Sequence, residues 1–580
     1  MDGTRSGIGA AVVVAALAGA AFGHGGEYVS PGAYQDPGPP LGPPWHPPHF
    51  RQNDPEVTPD TPDPRVPITR WETWWANNKE ALLRLASRME GDAPGATASA
   101  ARSQRETDAE AKRIDAVRKR LTALFVEALS DRDFEVRTAA AIALGKSGSA
   151  EGSAALRRAA EKDEHKDVRD SAVLGLGLLG QPADIPFLDA ALFGKAGDAR
   201  HRAFAAFALG LIGGDDAAFS LLRFADERSE ERVPGGLRKK PDLGASVWVA
   251  MGLTGSRDVL PALRAAFADT ELDPGVRSFV LISLGRMADG VSQRTTVTAL
   301  VSERDPGLRR AAAVALGRMT KPQDMDAIAA LVAAAGGDRD LLVRHLAAIS
   351  LGGIESSSVR SVLREMFRLG DDAARPFAAL ALALQKDADF APEIRAALGT
   401  CKDDSASSSY CIALGLLADA GSAAQISKVL ASAKSVWLEG YAALSLGLIG
   451  STSSIEALRA KLVGETDPRL RMNLAVALGM LHDPGARTYL VESMRKADTF
   501  YERSSAALAL GQLRMRSAVM DLEVVYRDPK EKDILRAFAV VALGEIADPS
   551  PVPKLSRFAA GGNYDASPRF DPLNEILTIY

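Results

Sequence analysis

The chain repeats itself. The glycine of an Ala-Leu-Gly triplet at position 145 has equivalents at Gly177, Gly210, Gly252, Gly285, Gly317, Gly352, Ala383, Gly415, Gly447, Gly479, Gly511 and Gly544. The intervals are 32, 33, 42, 33, 32, 35, 31, 32, 32, 32, 32 and 33 residues. A pattern that returns on this scale marks one supersecondary unit per period, and each unit buries its apolar face only against the next.

The columns of the repeat carry a packing argument. The residue before the anchor is Leu in every unit but one, where it is Met251. Two before, the residue is always Ala, Ser or Gly, from Ala143 through Gly175 and Ser283 to Ala542. Three before, it is always large and apolar, from Ile142 to Val541. A position that is always small lets a neighbouring helix come close, while larger flanking residues fill the space beside it.

The unit at 305 shows the local code. Asp305 suits an N-cap and Pro306 the first helical position. Leu308, Ala312, Ala315, Leu316 and Met319 then share one helix face. Lys321-Pro322-Gln323-Asp324 makes a turn, and a second helix carries Ile328, Leu331 and Val332 before Gly336-Gly337. The expectation is an all-α fold, an α-solenoid of about thirteen helix pairs over residues 115–549. At about 10 Å per layer it makes a curved rod on the order of 120 Å along its contour.

The pattern Asp-x-x-Val/Leu-Arg-x-Ala-Ala-x-Ala-Leu-Gly, seen at Asp133–Gly145 and Asp305–Gly317, resembles HEAT repeats. The similarity is strongest to the short kind of phycobilisome-lyase-like proteins, and the secretory start resembles that of exported bacterial members. The resemblance is specific for fold and nearly silent on activity, because such repeats mostly serve as binding scaffolds.

Eight residues before the anchor stands an arginine in ten units: Arg137, Arg169, Arg202, Arg277, Arg309, Arg344, Arg375, Arg471, Arg503 and Arg536. Gly244, Ser407 and Glu439 break the series. The resemblance implies a structural ladder with acidic residues at helix starts, for which Asp133, Asp167, Asp273, Asp305, Asp340, Asp467 and Asp533 are placed. An anion-gripping stripe is the competing reading. The 69 basic and 74 acidic residues leave a formal charge of −5, which disfavours that stripe and argues against nucleic acid as a partner.

Outside the array, residues 1–23 read as an export signal: Arg5, an apolar stretch from Ile8 to Phe22, and small residues at Ala21-Phe22-Gly23. No later stretch is long enough to span a membrane. Residues 24–68 are expected to be a disordered, proline-rich linker, with 13 prolines between Pro31 and Pro67. Residues 69–114 are expected to form a cap in which Trp71, Trp74 and Trp75 share a helix face and plug the end of the core; an aromatic ligand cage is the alternative. Residues 550–580, ending in Leu573, Ile576, Leu577 and Ile579, are read as the other cap. The widest interval holds an insertion from about Asp226 to Leu243, whose Glu230, Glu231, Arg238, Lys239 and Lys240 make either a contact loop or a merely solvated one.

Motifs for chemistry are few. Gly175-Leu176-Gly177-Leu178-Leu179-Gly180 matches a dinucleotide fingerprint but sits inside a repeat helix with no preceding strand. Gly145-Lys146-Ser147 resembles the end of a phosphate loop without its first glycine. None of His24, His46, His49, His165, His201, His345 and His482 is followed by Glu, unlike the His-Glu iron ligands of HEAT-type hydroxylases. His24, His46 and His49 offer at most a copper-chelating tail. Cys401 and Cys411 stand ten residues apart, either bonded in an oxidising compartment or as free thiols. No catalytic residue, cofactor site or metal site is expected.

The functional expectation is a non-catalytic, extracytoplasmic scaffold that binds a protein or an extended polymer along its inner face, lined by the second helix of each pair. A lyase-like enzyme of the bilin-handling kind, centred on a pocket with His345 or Tyr410, and a structural cell-envelope component are the alternatives.

Overall fold

The computed structural model describes residues 71–85, 88, 104–194, 199–226, 237, 241–554 and 556. The leader, the proline-rich stretch, the insertion residues Glu230, Glu231, Arg238, Lys239 and Lys240, and the segment from Leu573 to Ile579 lie outside them. Every regular element among the described residues is helical.

Two helices precede the array, α1 (Trp71–Leu83) and α2 (Gln104–Ala128). The array opens with α3 (Phe134–Lys146), the first helix of unit one. Asp305 caps its helix by accepting from the Leu308 amide, with Pro306 behind it, and Asp133, Asp273, Asp340 and Asp467 do the same in their units. Three residues past the anchor the chain turns through the left-handed region, at Gly148, Gly180, Gly213, Gly255 and Gly450, and also at Ala288, Lys386, Ala418, His482 and Arg514. His482 is thus a turn residue.

The anchor column does what its neighbour column allows. A β-carbon on Gly177 would stand 2.5 Å from the Ala208 backbone, and one on Gly285 2.6 Å from that of Ala315. In most units, then, the anchor glycine lies on the always-small position of the next unit. First helices therefore touch backbone to backbone, which a side chain at either position would prevent.

The array does not end. Gly544, the last anchor, lies on Ala143 of α3, where a β-carbon would come within 2.7 Å. The last helix, Asp533–Ala547, packs along α3 as each first helix packs along the next. That helix has no second helix of its own after it; α2 takes the place, lying against both it and α3. Arg527 pairs with Glu127 of α2 at 2.7 Å, and Arg118 of α2 donates to the Ala547 carbonyl at 3.4 Å. The thirteenth hairpin is thus assembled from the two ends of the chain.

The expected open rod is therefore a closed ring. Thirteen equal joints share a full turn at about 28° each, and at 8–10 Å per helix the first helices circle a space on the order of 35–40 Å between axes. The expected lining is also corrected. In a closed ring the more tightly spaced layer has the shorter circumference, so the first helices line the inside and the second helices form the outer wall. After the last helix the chain crosses the seam: Pro549 covers Gly148, and Lys554 reaches the Leu178 carbonyl of unit two.

One joint departs from the rule. Gly479 of unit eleven faces the Leu513 side chain rather than a small residue of unit twelve. The first helices of these two units are accordingly less closely apposed than their neighbours.

Candidate functional site

A first helix presents three faces. The anchor and the position two before it meet the neighbouring first helices, and the side of the ladder arginine meets the second helices. That leaves the positions ten, six and three before the anchor and one after it, spaced as one helical stripe, for the interior. In units nine to twelve these include Ser405, Trp437, Tyr441, Leu444, Arg469, Asn473, Val476 and Gln512.

Helix α1 lies on this stripe. The Trp71 indole donates to the Ser405 carbonyl at 2.8 Å and to its hydroxyl at 3.0 Å, and the Ser405 hydroxyl donates to Glu72 at 2.5 Å. The Trp71 ring tilts against Tyr441 at 4.9 Å. Tyr441 stacks with Trp437 at 6.4 Å, and the Arg469 guanidinium lies over Trp437 at 4.8 Å. Trp71, Trp74 and Trp75 are all buried. Between α1 and the wall remains a solvent-connected cleft of about 50 Å³, bordered by Trp75, Lys79, Trp437, Arg469, Asn473 and Gln512.

The tryptophans do share a packed face, but it seals no end of the array. Trp71 reaches unit nine, in the middle of the repeats, because closure leaves no end to plug. Units nine and ten are two of the three whose ladder arginine is replaced, here by Ser407 and Glu439, and Lys461 pairs with Glu439 at 2.6 Å.

The ladder arginines have a different purpose from the inner wall. Arg137 forks onto Asp163 at 2.8 and 3.0 Å and also donates to the Asp131 and Arg132 carbonyls. Arg309 forks onto Asp338 at 2.9 Å, Arg277 reaches Glu303 at 3.1 Å, Arg503 takes Glu531, and Arg471 takes Glu502 at 2.7 Å. Arg169, Arg202 and Arg375 donate to the carbonyls of Asp163, Gly194 and Arg368. The Arg344 Nε has no hydrogen-bond partner. Of the acids expected as partners, Asp133, Asp273, Asp305, Asp340 and Asp467 cap their own helices instead, Asp167 pairs with Arg200 at 3.0 Å, and Asp533 meets a ladder residue, Arg536 at 2.8 Å. Three of these five partner acids, Asp163, Glu303 and Asp338, stand fourteen before the next anchor. The seam obeys the same rule, since Arg536 pairs with Asp131, fourteen before the first anchor.

A second ladder escaped the reading of the sequence. Twelve residues after the anchor, Arg264, Arg364, Arg395 and Arg459 pair with Asp289, Asp387, Asp419 and Asp483, each four after the following anchor. The Arg264 hydrogen bond holds Asp289 below the usual aspartate range. At Asp483 burial pushes upward, but Arg459 outweighs it and the carboxyl is likewise lowered. The fixed offsets were there to be seen as a column of arginine and a column of aspartate.

The remaining candidates are core. His345 is buried and stacked on Phe377 at 4.2 Å; Tyr410 is buried edge-on to Phe367, and burial lifts its phenol to about 12. Neither borders the cleft. The glycines at 175 and 177 meet Ala141 and Ala208 of adjacent helices, and Gly180 is a left-handed helix cap. Lys146 is buried against Glu545. Cys401 and Cys411 are not joined: the Cys401 thiol points to the Asp403 carbonyl at 3.4 Å, and Cys411 lies wholly inside a helix pair, where burial raises its thiol to about 12. Among the described residues no three His, Cys, Asp or Glu side chains gather as a metal site, and no helix is long and apolar enough to cross a membrane.

The sequence pattern of HEAT repeats matches residues 122–192, 153–234, 270–352, 294–379 and 423–511. No curated protein matches the chain. Among solved structures, human deoxyhypusine hydroxylase in complex with glycerol is 17% identical over 46% of this chain and 96% of its own, with a TM-score of 0.21. The complex of CpcE and CpcF of phycocyanin lyase from Nostoc is 21% identical over 46% and 94%, with a TM-score of 0.29. Kap121p bound to Nup53p is 14% identical over 78% of this chain and 56% of its own, with a TM-score of 0.35.

Proposed function

The chain belongs to the HEAT-repeat family, and from that premise we propose that it is an exported, non-catalytic interaction protein that holds a protein partner on the inner wall of a closed ring. The observation that carries this reading is the seat of α1. A helix with three tryptophans is bound there by an indole hydrogen bond to Ser405 and a ring contact with Tyr441, so the wall already binds peptide. Large aromatic anchors with a polar handle are the groups that dominate binding between proteins. Closure adds a restriction: an extended polymer must thread the ring, whereas a helix or a loop enters from either rim.

Export follows from the leader read at residues 1–23, and the mass of the mature protein tests it: a chain beginning at His24 supports it, an intact Met1 opposes it. A photo-crosslinking residue tests the binding face. Placed at Trp437 or Asn473 it gives discrete protein adducts in the producing cell, while Phe219 and Leu369 on exposed surface give none. Adducts from the exposed positions alone contradict the reading.

A further inference from the structure

We infer that the inner wall of units nine to twelve is a receiving site for a tryptophan-bearing helix, and that α1 is its exchangeable occupant. The inference rests on the inner-wall reading and names the partner class: a helix with aromatic residues at i, i+3 and i+4 and an acidic residue after the first.

Three observations carry it. The ring closes without α1. The thirteen joints run from α3 to the last helix and back, and the missing second helix is supplied by α2, so α1 can leave without breaking a joint. Its seat is also specific, with a small cleft left beside it. Trp71 makes a two-pronged hydrogen bond to Ser405 and Glu72 accepts from the same hydroxyl, while a cleft of about 50 Å³ remains beside Trp75, bordered by Trp437, Arg469 and Gln512. Finally, 18 residues separate Leu85 from Gln104, a length of chain that fully extended spans on the order of 60 Å, so α1 can vacate its seat while tethered.

The receiving wall is chemically distinct as well. It holds Trp437 and Tyr441 on the interior stripe, lacks the ladder arginine at Ser407 and Glu439, and borders the one joint wedged by Leu513. The site thus reads a helix by indole donor, carboxylate acceptor and aromatic faces together. This is helix-in-groove recognition with the ligand carried in the same chain.

The probe is a fluorescent peptide of residues 69–85, added to the full-length chain and to its Trp71→Ala variant. The variant, whose own α1 has lost its anchor, binds the peptide one to one. The wild type binds it at least about tenfold more weakly, because the tethered helix competes at high effective concentration. Adding Ser405→Ala and Tyr441→Ala to the variant removes binding. A folded Trp71→Ala chain that ignores the peptide, or binding unmoved by the Ser405 and Tyr441 changes, overturns the inference.

Should Trp71→Ala fail to fold, a protease site placed between residues 90 and 100 of the wild type serves instead. After cleavage, exchange of the freed helix for labelled peptide supports the inference, and permanent retention overturns it. Inner-wall adducts without peptide exchange would leave the binding function standing and remove only this assignment.

Discussion

Lys146 and Glu545, 399 residues apart in the chain, meet at 2.5 Å with both side chains buried. Each stands one residue past its anchor, in the first and the last unit. The same column holds Leu178, Leu211, Leu416 and Leu448 elsewhere. The joint between the ends of the chain is therefore marked by a charge pair where internal joints are often apolar. Burial pulls the Lys146 ammonium down, and Glu545 works against that.

Removing one partner of this pair strands the other. Lys146→Met alone or Glu545→Leu alone should destabilise the chain by about 3–5 kcal/mol, the usual cost of an uncompensated buried charge. The double substitution, which copies an internal joint, should recover most of that loss. Denaturant unfolding of the four proteins as a double-mutant cycle measures it.

The closing glycine is as constrained as the internal ones. Gly544→Ala puts a methyl against Ala143 and should cost about 1–3 kcal/mol by overpacking. Gly285→Ala, at an internal joint, should cost a similar amount. Gly290→Ala, at a position with open space, should change thermal stability little.

The seam also carries a pH dependence. Burial, with Asp133 and Asp533 nearby, pushes the Glu135 carboxyl up to about 7. As the pH rises from the ordinary glutamate range towards 7, the unfolded chain gives up this proton before the ring does. Ring stability therefore falls over that window and levels above it. Asp289 and Asp483, held below their ordinary range, have the opposite sign: their contribution is full near neutrality and is lost as the pH drops below about 4. Melting temperature should peak near about pH 5, and Glu135→Gln should flatten the limb from there to neutrality.

The two thiols should differ. Native protein labelled with a maleimide should take up one equivalent, at Cys401, and two after unfolding, because Cys411 is buried within its helix pair. An unreduced mass two daltons below that of the dithiol would show a bond between them.

The period, the small column, the caps at Asp305 and its equivalents, and the close approach of first helices were all legible, because each is local chemistry repeated in register. Closure was not, since the angle at one joint is a few degrees' compromise among many contacts and no single column states it. Two signs were nevertheless present. Thirteen first helices have only twelve second helices after them, with α2 left over at the other end. Opposite charges, Lys146 and Glu545, also stand in one column at the two ends. The inner lining was misassigned for a related reason: which layer lies inside follows only once the ring is closed. The seat of α1 on Ser405 joins segments more than 330 residues apart, and nothing in Trp71-Glu72-Thr73-Trp74-Trp75 names its receiver.

Ring closure is tested most directly by pulsed electron paramagnetic resonance between spin labels at Val126 of α2 and Val524, exposed positions flanking the Arg527–Glu127 pair. A closed ring places the two labels within about 30 Å in a single narrow distribution. An open array of the same units, at about 10 Å per layer, separates them by on the order of 100 Å and abolishes the short distance; that result would contradict the account.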